Sequence, residues 1–307
     1  MAQITAEMVR DLREKTGAGM MDCKKALTQH ADIDAAIKYL REKGLASAAK
    51  KAGRIASEGL VAVFIKDNAA GIVEVNCETD FVARNPDFQK LAADLAEQVV
   101  VSGKGTLQDG EVMLGEVLLS QPCFNDSSKT VEALINEKVA IIDEKIVVRR
   151  LMLLSGGNVY GSYIHSGGSI GAAVELTVDN AQKADSDVLK SLAKDLAMHV
   201  AAAAPLGLSR ANIDAQTIEA ERQIFLKQVV EEKEVEGRLE KYFSEVCLLE
   251  QKFVKDPDSS IAQLIEKASK EAGAQITLNQ FIRFKVGDGI EKKADDFVQE
   301  VAKIASC

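Results

Sequence analysis

Apolar positions near the start of the chain recur at helical spacing. Met8, Val9 and Leu12 form one stripe, with Thr5 placed as a cap and Ile4 and Val9 as a hydrophobic staple. Gly17 stands where a glycine stops a helix. A second helix is predicted from about Met20 to His30, burying Cys23 and Leu27 one turn apart. Asp32 caps a third, striped by Ile33, Ile37 and Leu40 and closed by Gly44. The Ala- and Lys-rich stretch 45–58 then reads as a connector.

Beyond it the period changes to two. Alternation predicts strands near 59–66 and 71–77, and again near 158–165 and 171–178. Asp67-Asn68 and Gly167-Gly168 stand between the members of each pair, as hairpin turns require. Each hairpin precedes an Ala/Leu-rich helical segment, and these align: KLAADLAEQVVV at 90–101 lies on SLAKDLAMHVAA at 191–202, an offset of 101. Val73-Glu74-Val75 meets Val174-Glu175-Leu176 at the same offset. The body is therefore two similar α+β subdomains, each with helices over one face of a small antiparallel sheet. Residues 213–246 are helical and heavily charged, with Ile218, Phe225, Val229, Leu239, Phe243 and Val246 recurring as in a helical hairpin. A strand at 280–286 and a last helix over about 291–305 complete the reading.

The divisions that follow are 1–54, 55–140, 141–286 with its hairpin at about 213–246, and 287–307. Charge supports the first boundary. Residues 1–54 carry a net +4, whereas the whole chain of 307 carries −9. An acidic body argues against general nucleic-acid binding. No apolar run reaches the roughly 18 residues of a membrane span. The first residues lack the basic and apolar regions of a signal peptide, and five scattered cysteines never form C-x-x-C, so a cytoplasmic protein with free thiols is expected.

Where the two copies differ, chemistry enters. Glu78-Thr79-Asp80-Phe81-Val82 follows the second strand of copy one; Asp179-Asn180-Ala181-Gln182-Lys183 follows it in copy two. Phe81 suits either a core residue capping the sheet or a protruding anchor, since aromatics dominate interface hot spots. Enzyme motifs fail in context. Gly167-Gly168-Ser169-Ile170-Gly171 matches a nucleophile elbow, but a strand follows it and leaves Ser169 at a hairpin tip. His199, the histidine downstream of it, has Gln98 as its repeat counterpart. Gly17-Ala18-Gly19 has no preceding strand, no phosphate-binding loop is present, and His30, His165 and His199 share no metal-ligand spacing. No cofactor and no metal are expected.

LREKTGAGMMDCKKAL at 12–27, EVNCETDFVAR at 74–84, VVRR at 147–150, AMHVAA at 197–202, EGRLEKYF at 236–243 and FIRFKVGDGIEK at 281–292 together resemble the bacterial elongation factor Ts family. The resemblance implies a ubiquitin-associated-like three-helix head, a two-part α+β core, a coiled-coil hairpin and a C-terminal helix. It implies a nucleotide exchange factor, without bond-breaking chemistry, for the GTPase elongation factor Tu in its GDP-bound and nucleotide-free forms. Thr79, Asp80, Phe81 and Val82 match the segment that enters near the magnesium site of that GTPase, Phe81 inserting its ring. Asp80 is compatible with a capping role or with direct action on the GTPase. Lys24, Ile142, His165 and Val254 match further contacts. The Ser-Gly-Lys-Pro-type turn usual in the family's hairpin is missing, which implies a shortened one. The alternative function is a GTPase-binding scaffold without exchange activity. A homodimer or heterotetramer through the hairpin or core is compatible with the pattern; direct nucleic-acid and membrane partners are not expected.

Overall fold

The computed structural model of the chain describes residues 4–30, 32–228 and 232–291. Three helices come first: α1 (Ala6–Thr16), α2 (Met20–Gln29) and α3 (Ile33–Lys51). The Thr5 hydroxyl caps α1 by accepting from the Met8 amide, and Gly17 closes it at φ 67°. Glycine reaches that left-handed angle without a Cβ clash. Asp32 caps α3 through the Ala35 amide. Leu12, Cys23, Ala26, Leu27 and Ala36 fill the small core between the three.

Gly44 does not end α3. The helix continues to Lys51, through half of the expected connector. The reason is steric. A Cβ on Gly44 would sit 3.2 Å from the Asn136 carbonyl oxygen and 3.5 Å from the Ala140 Cβ. The missing side chain allows a close crossing of two helices and stops nothing.

The first copy then runs β1 (Glu58–Ile65), β2 (Ala70–Cys77), α4 (Asp80–Ala83), α5 (Pro86–Gly103), β3 (Met113–Leu114), α6 (Glu116–Leu119), β4 (Pro122–Cys123), β5 (Asp126–Thr130), α7 (Val131–Ile142) and β6 (Val147–Leu154). The second runs β7 (Val159–His165), β8 (Ile170–Val178), α8 (Asp187–Ala203), α9 (Ala215–Leu226), α10 (Glu232–Val246), β9 (Lys252–Phe253), β10 (Asp256–Ser260), α11 (Ile261–Ala272) and β11 (Ile276–Lys285). One antiparallel sheet has the order β1-β2-β6-β3, the other β11-β8-β7. Both hairpins form as the alternation predicts, Asp67 and Asn68 turning the first at φ 49° and 55°.

Period two explains how the sheets meet. Val73, Val75, Leu151 and Leu153 face α5 with Phe88, Leu91, Leu95 and Val99. Val174 and Leu176 face α8 with Leu189, Leu192 and Leu196. The opposite faces do not reach water: Val61, Ala70, Ile72, Met152 and Leu154 pack against Ala173 and Phe284 of the other sheet. The core is a helix–sheet–sheet–helix stack, an arrangement beyond the expectation of one covered face per sheet. Glu74 and Glu175, which share the strand parity of Ile72 and Ala173, are buried. Glu74 pairs with Arg149 at 2.9 Å and Arg150 at 2.6 Å, and accepts the Gly287 amide. Glu175 accepts from the Gly156 amide and the amides of Asn279 and Gln280.

The duplication extends further than the offset of 101. Gln121 to Ile135 repeats in Gln251 to Ile265, now at an offset of 130, because the segment carrying α9 and α10 intervenes. Thr130 and Ser260 cap α7 and α11 alike, and the Val131 and Ile261 amides donate to the Gln121 and Gln251 carbonyls. α9 and α10 pair through Arg222 and Glu236 at 2.6 Å. Arg210, bound to Glu240 and Glu250 and stacked 4.7 Å over the Phe243 ring, ties their base to the body. Residues 229–231, between α9 and α10, and the last helix expected over about 291–305, beyond Glu291, lie outside the described residues. Among the described residues, no helix is long and apolar enough to cross a membrane.

Candidate partner-binding site

Strand β2 ends at Cys77, and the chain turns at once into the four-residue α4. Thr79 is its N-cap, in extended backbone, with its hydroxyl 3.4 Å from the Val82 amide. Val82 and Ala83 turn inward onto the first core. Asp80 is taken by Arg84, one turn on, at 2.9 Å. Phe81 points the other way, and 80% of it is exposed. The ring is therefore outside the core. Capping at this turn belongs to Thr79, not Asp80.

Beneath the turn lies the loop that follows α7. Asp143 closes α7 at φ 65°, and Glu144 then reaches the turn: its carboxylate accepts from the Glu78 and Thr79 amides, both at 3.0 Å, and from the Thr79 hydroxyl at 2.6 Å. Glu78 in return accepts the Lys145 amide at 2.7 Å and the Arg54 guanidinium at 3.1 Å. The Lys145 ammonium donates to the Ala52 and Arg54 carbonyls, just past α3. Lys51, buried at the end of α3, pairs with Asp143 at 2.7 Å and holds its carboxyl below the usual range. Burial, and after it the Glu144 charge, push the Cys77 thiol up to about 12, so it stays protonated and donates to the Thr79 carbonyl.

The structure thus joins Thr79–Val82 to the end of α7, where half-buried Ile142 packs on the first core. It leaves the other candidates on separate elements. Exposed Lys24 lies on α2, where Met20 and Met21 are also exposed, in a shallow groove lined by Val9, Arg10 and Arg13 of α1. His165 ends β7 at an exposed hairpin tip, with its Nδ1 3.3 Å from the Tyr163 hydroxyl. That tip leans on the first copy: a Cβ on Gly168 would lie 2.7 Å from the Leu60 Cβ in β1. Val254, 45% exposed, sits between β9 and β10 with its amide donating to His199 Nδ1 at 3.3 Å.

No nucleophile is assembled at the tip. The Ser169 hydroxyl donates to the His165 backbone carbonyl at 3.3 Å, leaving it no base. Among the described residues, no group of three His, Cys, Asp or Glu side chains could hold a metal ion. The arrangement is suited to contact: a fixed turn that carries a bare ring, with further exposed side chains on other elements.

A model of the elongation factor Ts family matches residues 78–288, which begin at this turn and take in the second sheet together with β3 and β6 of the first. The chain belongs to the elongation factor Ts family. The elongation factor Ts of Clostridium perfringens is 47% identical over 313 aligned residues, covering 98% of this chain and 99% of that protein. Those of Clostridium kluyveri (46% over 312 residues) and Trichlorobacter lovleyi (43% over 314) each cover 98% of both chains. Membership in the elongation factor Ts family places the chain in the elongation stage of protein biosynthesis. The similarity to the relatives runs through the head as well, although the family model starts after it.

Glu144 was missed by reading along the sequence. It stands in an unremarkable IIDEK stretch, and its partners are 65 and 66 residues away.

Proposed function

We propose that the chain is a guanine-nucleotide exchange factor that binds elongation factor Tu carrying GDP, disturbs its Mg²⁺ and phosphate site, and promotes GDP release and GTP reloading. The observation that carries this reading is the Phe81 ring, 80% exposed on a turn whose backbone is held from below. A bare aromatic on a fixed base suits insertion into a partner, because little ordering is left to be done on binding. Mg²⁺ bridges phosphate oxygens and protein ligands, so displacing the elements around it weakens a charge-dominated grip on GDP. Nothing in this requires bond-breaking chemistry or a cofactor of the chain. Linkage supplies the direction: a factor that favours the nucleotide-free GTPase must weaken GDP by the same factor that GDP weakens it.

In this reading Thr79 and Val82 seat the turn, Asp80 presents its Arg84-paired carboxylate beside the ring, and Lys24, Ile142, His165 and Val254 add contacts. The head, 1–54, acts as a ubiquitin-associated-like docking module on a two-part core whose first part runs past the expected 140 to the end of β6 at Leu154, because β6 pairs with β2, and whose second part ends at about 286; the α9–α10 pair is its coiled-coil appendage, and 287–307 form the C-terminal module. The setting is the cytoplasm, with no direct nucleic-acid or membrane partner.

The test is release of labelled GDP from elongation factor Tu. The chain is expected to accelerate it, and Phe81→Ala to lose most of the acceleration while changing folding stability by no more than about 0.5 kcal/mol, as for other exposed positions. Undiminished acceleration by Phe81→Ala sinks the role of the ring. A complex that forms without any acceleration by the unaltered chain favours a scaffold instead.

A further inference from the structure

We infer that Glu144 is the positioning residue that sets the Phe81 turn in its protruding form; this rests on the exchange reading of that turn. The ring itself makes no packing that fixes where it points, being 80% exposed. A four-residue helix has no stability of its own, since nucleation is costly and such a helix gains few bonds. Its placement must come from the backbone that enters it. At that entrance one carboxylate takes three donors: the amides of Glu78 and Thr79 and the Thr79 hydroxyl. Hydrogen bonds to an ionised acceptor are roughly twice as strong as neutral ones, and three converging on one group fix direction as well as distance.

The duplicated scaffold provides an internal comparison. At the offset of 101, Glu78 corresponds to Asp179 and Phe81 to Gln182; at the offset of 130, Lys145 corresponds to Gln275 and Glu144 to Ala274. Asp143 and Gly273 close α7 and α11 in the same left-handed conformation, so the correspondence holds in space. Half of the clasp is common to both copies. The Lys145 amide donates to Glu78 at 2.7 Å, and the Gln275 amide donates to Asp179 at 3.0 Å. In the other half, the carboxylate is peculiar to copy one. Ala274 has no side-chain acceptor to offer, the Asp179 amide donates instead to the Gln275 backbone carbonyl at 3.1 Å, and the turn there carries Gln182 on a single 3-10 turn. The scaffold folds with a backbone carbonyl and no carboxylate in the second half of the clasp. The carboxylate is present where an exposed ring has to be held.

The test is a double-mutant cycle in the full chain, read as the maximal rate of GDP release and the concentration giving half of it. Glu144→Ala is expected to lower the maximal rate roughly tenfold, the loss that removing a charge-assisted hydrogen-bond set brings, with the half-saturating concentration nearly unchanged. Glu144→Gln, which keeps an acceptor oxygen for the two amides, should recover most of the rate. With Phe81→Ala already present, Glu144→Ala should cause no further loss. A wild-type maximal rate for Glu144→Ala, or a full additional loss on the Phe81→Ala background, overturns the inference and leaves the ring's role standing. Wild-type release by Phe81→Ala alone overturns both. Should Glu144→Ala fail to fold, Glu144→Asp, one methylene too short to reach all three donors, is read in the same cycle against the same outcomes.

Discussion

His199 and Gln98 occupy the same place in the two copies and do the same work with different chemistry. The Gln98 amide accepts from the Phe124 amide and donates to Gln121 and the Pro122 carbonyl. His199 accepts from the Val254 amide at Nδ1 and donates from Nε2 to Gln251. That pattern needs a neutral ring, and burial lowers the His199 pKa below its ordinary 6.5. The unfolded chain therefore takes up a proton below about pH 6.5 that the folded chain does not. Stability contributed by the neutral ring is complete above that pH and falls as pH drops toward the lowered folded value, by at most about 1.4 kcal/mol per pH unit. His199→Gln, borrowing the other copy's solution, should remove this component. Urea unfolding at pH 7.5 and 5.5 checks it: parallel losses in the variant and the unaltered chain would show that His199 does not titrate this way. The sequence pairs Gln98 with His199 through the repeat. It does not reveal that both hold a turn, because the turn belongs to a segment with a different offset.

Among the elements, the two β-hairpins, the caps of the head and the helices α1–α3, α5 and α8 were legible, since each depends on near neighbours, whereas α7, α11 and strand β6 were not read. Thr5, Gly17 and Asp32 act within one helical turn, and Asp67-Asn68 turns β1 into β2 locally. Gly44 was misread because glycine has two uses, and the one at work depends on a helix some 90 residues away. Gly44→Leu should lose about 1–3 kcal/mol in urea unfolding, since the Asn136 backbone must move aside. Gly53→Leu, with nothing within 4 Å of the added carbon, should stay within about 0.5 kcal/mol. Equal costs would mean that α3 does not rely on close approach to α7. The short strands β4, β5, β9 and β10 were invisible for a related reason: DSSKT and DPDSS have no apolar alternation, and β5 and β10 end in the caps of α7 and α11, Thr130 and Ser260.

For the whole molecule, the stacking of the two sheets leaves an acid from each copy without water. Glu74 is satisfied by two arginines, Glu175 by neutral amides. Glu74→Gln strands two guanidinium groups that keep only part of their water, and breaking such a pair costs about 3 kcal/mol. Glu175→Gln keeps an acceptor among amide partners and should cost about 1 kcal/mol. Guanidinium unfolding of both variants compares them, and a smaller loss for Glu74→Gln would contradict the ion-pair account. The sequence displays the two acids as matching members of a repeat; only the cross-sheet neighbours tell them apart. The candidate site was legible to a similar degree. The contrast between Phe81 and Gln182 marks the turn, whereas Glu144 becomes visible only when α7 and α11 are laid over each other.

The unbroken run of α3 into the knot of Lys51, Asp143, Arg54 and Glu78 changes how two contacts on one molecule add together. A flexible connector between head and core would have made the second contact a matter of linker statistics, tolerant of many spacings and modest in effective concentration. A helix clamped at its end makes it a matter of fit. A partner whose surfaces match the spacing of α2 and the Phe81 turn gains the full avidity of both, and one that mismatches keeps only the affinity of a single contact.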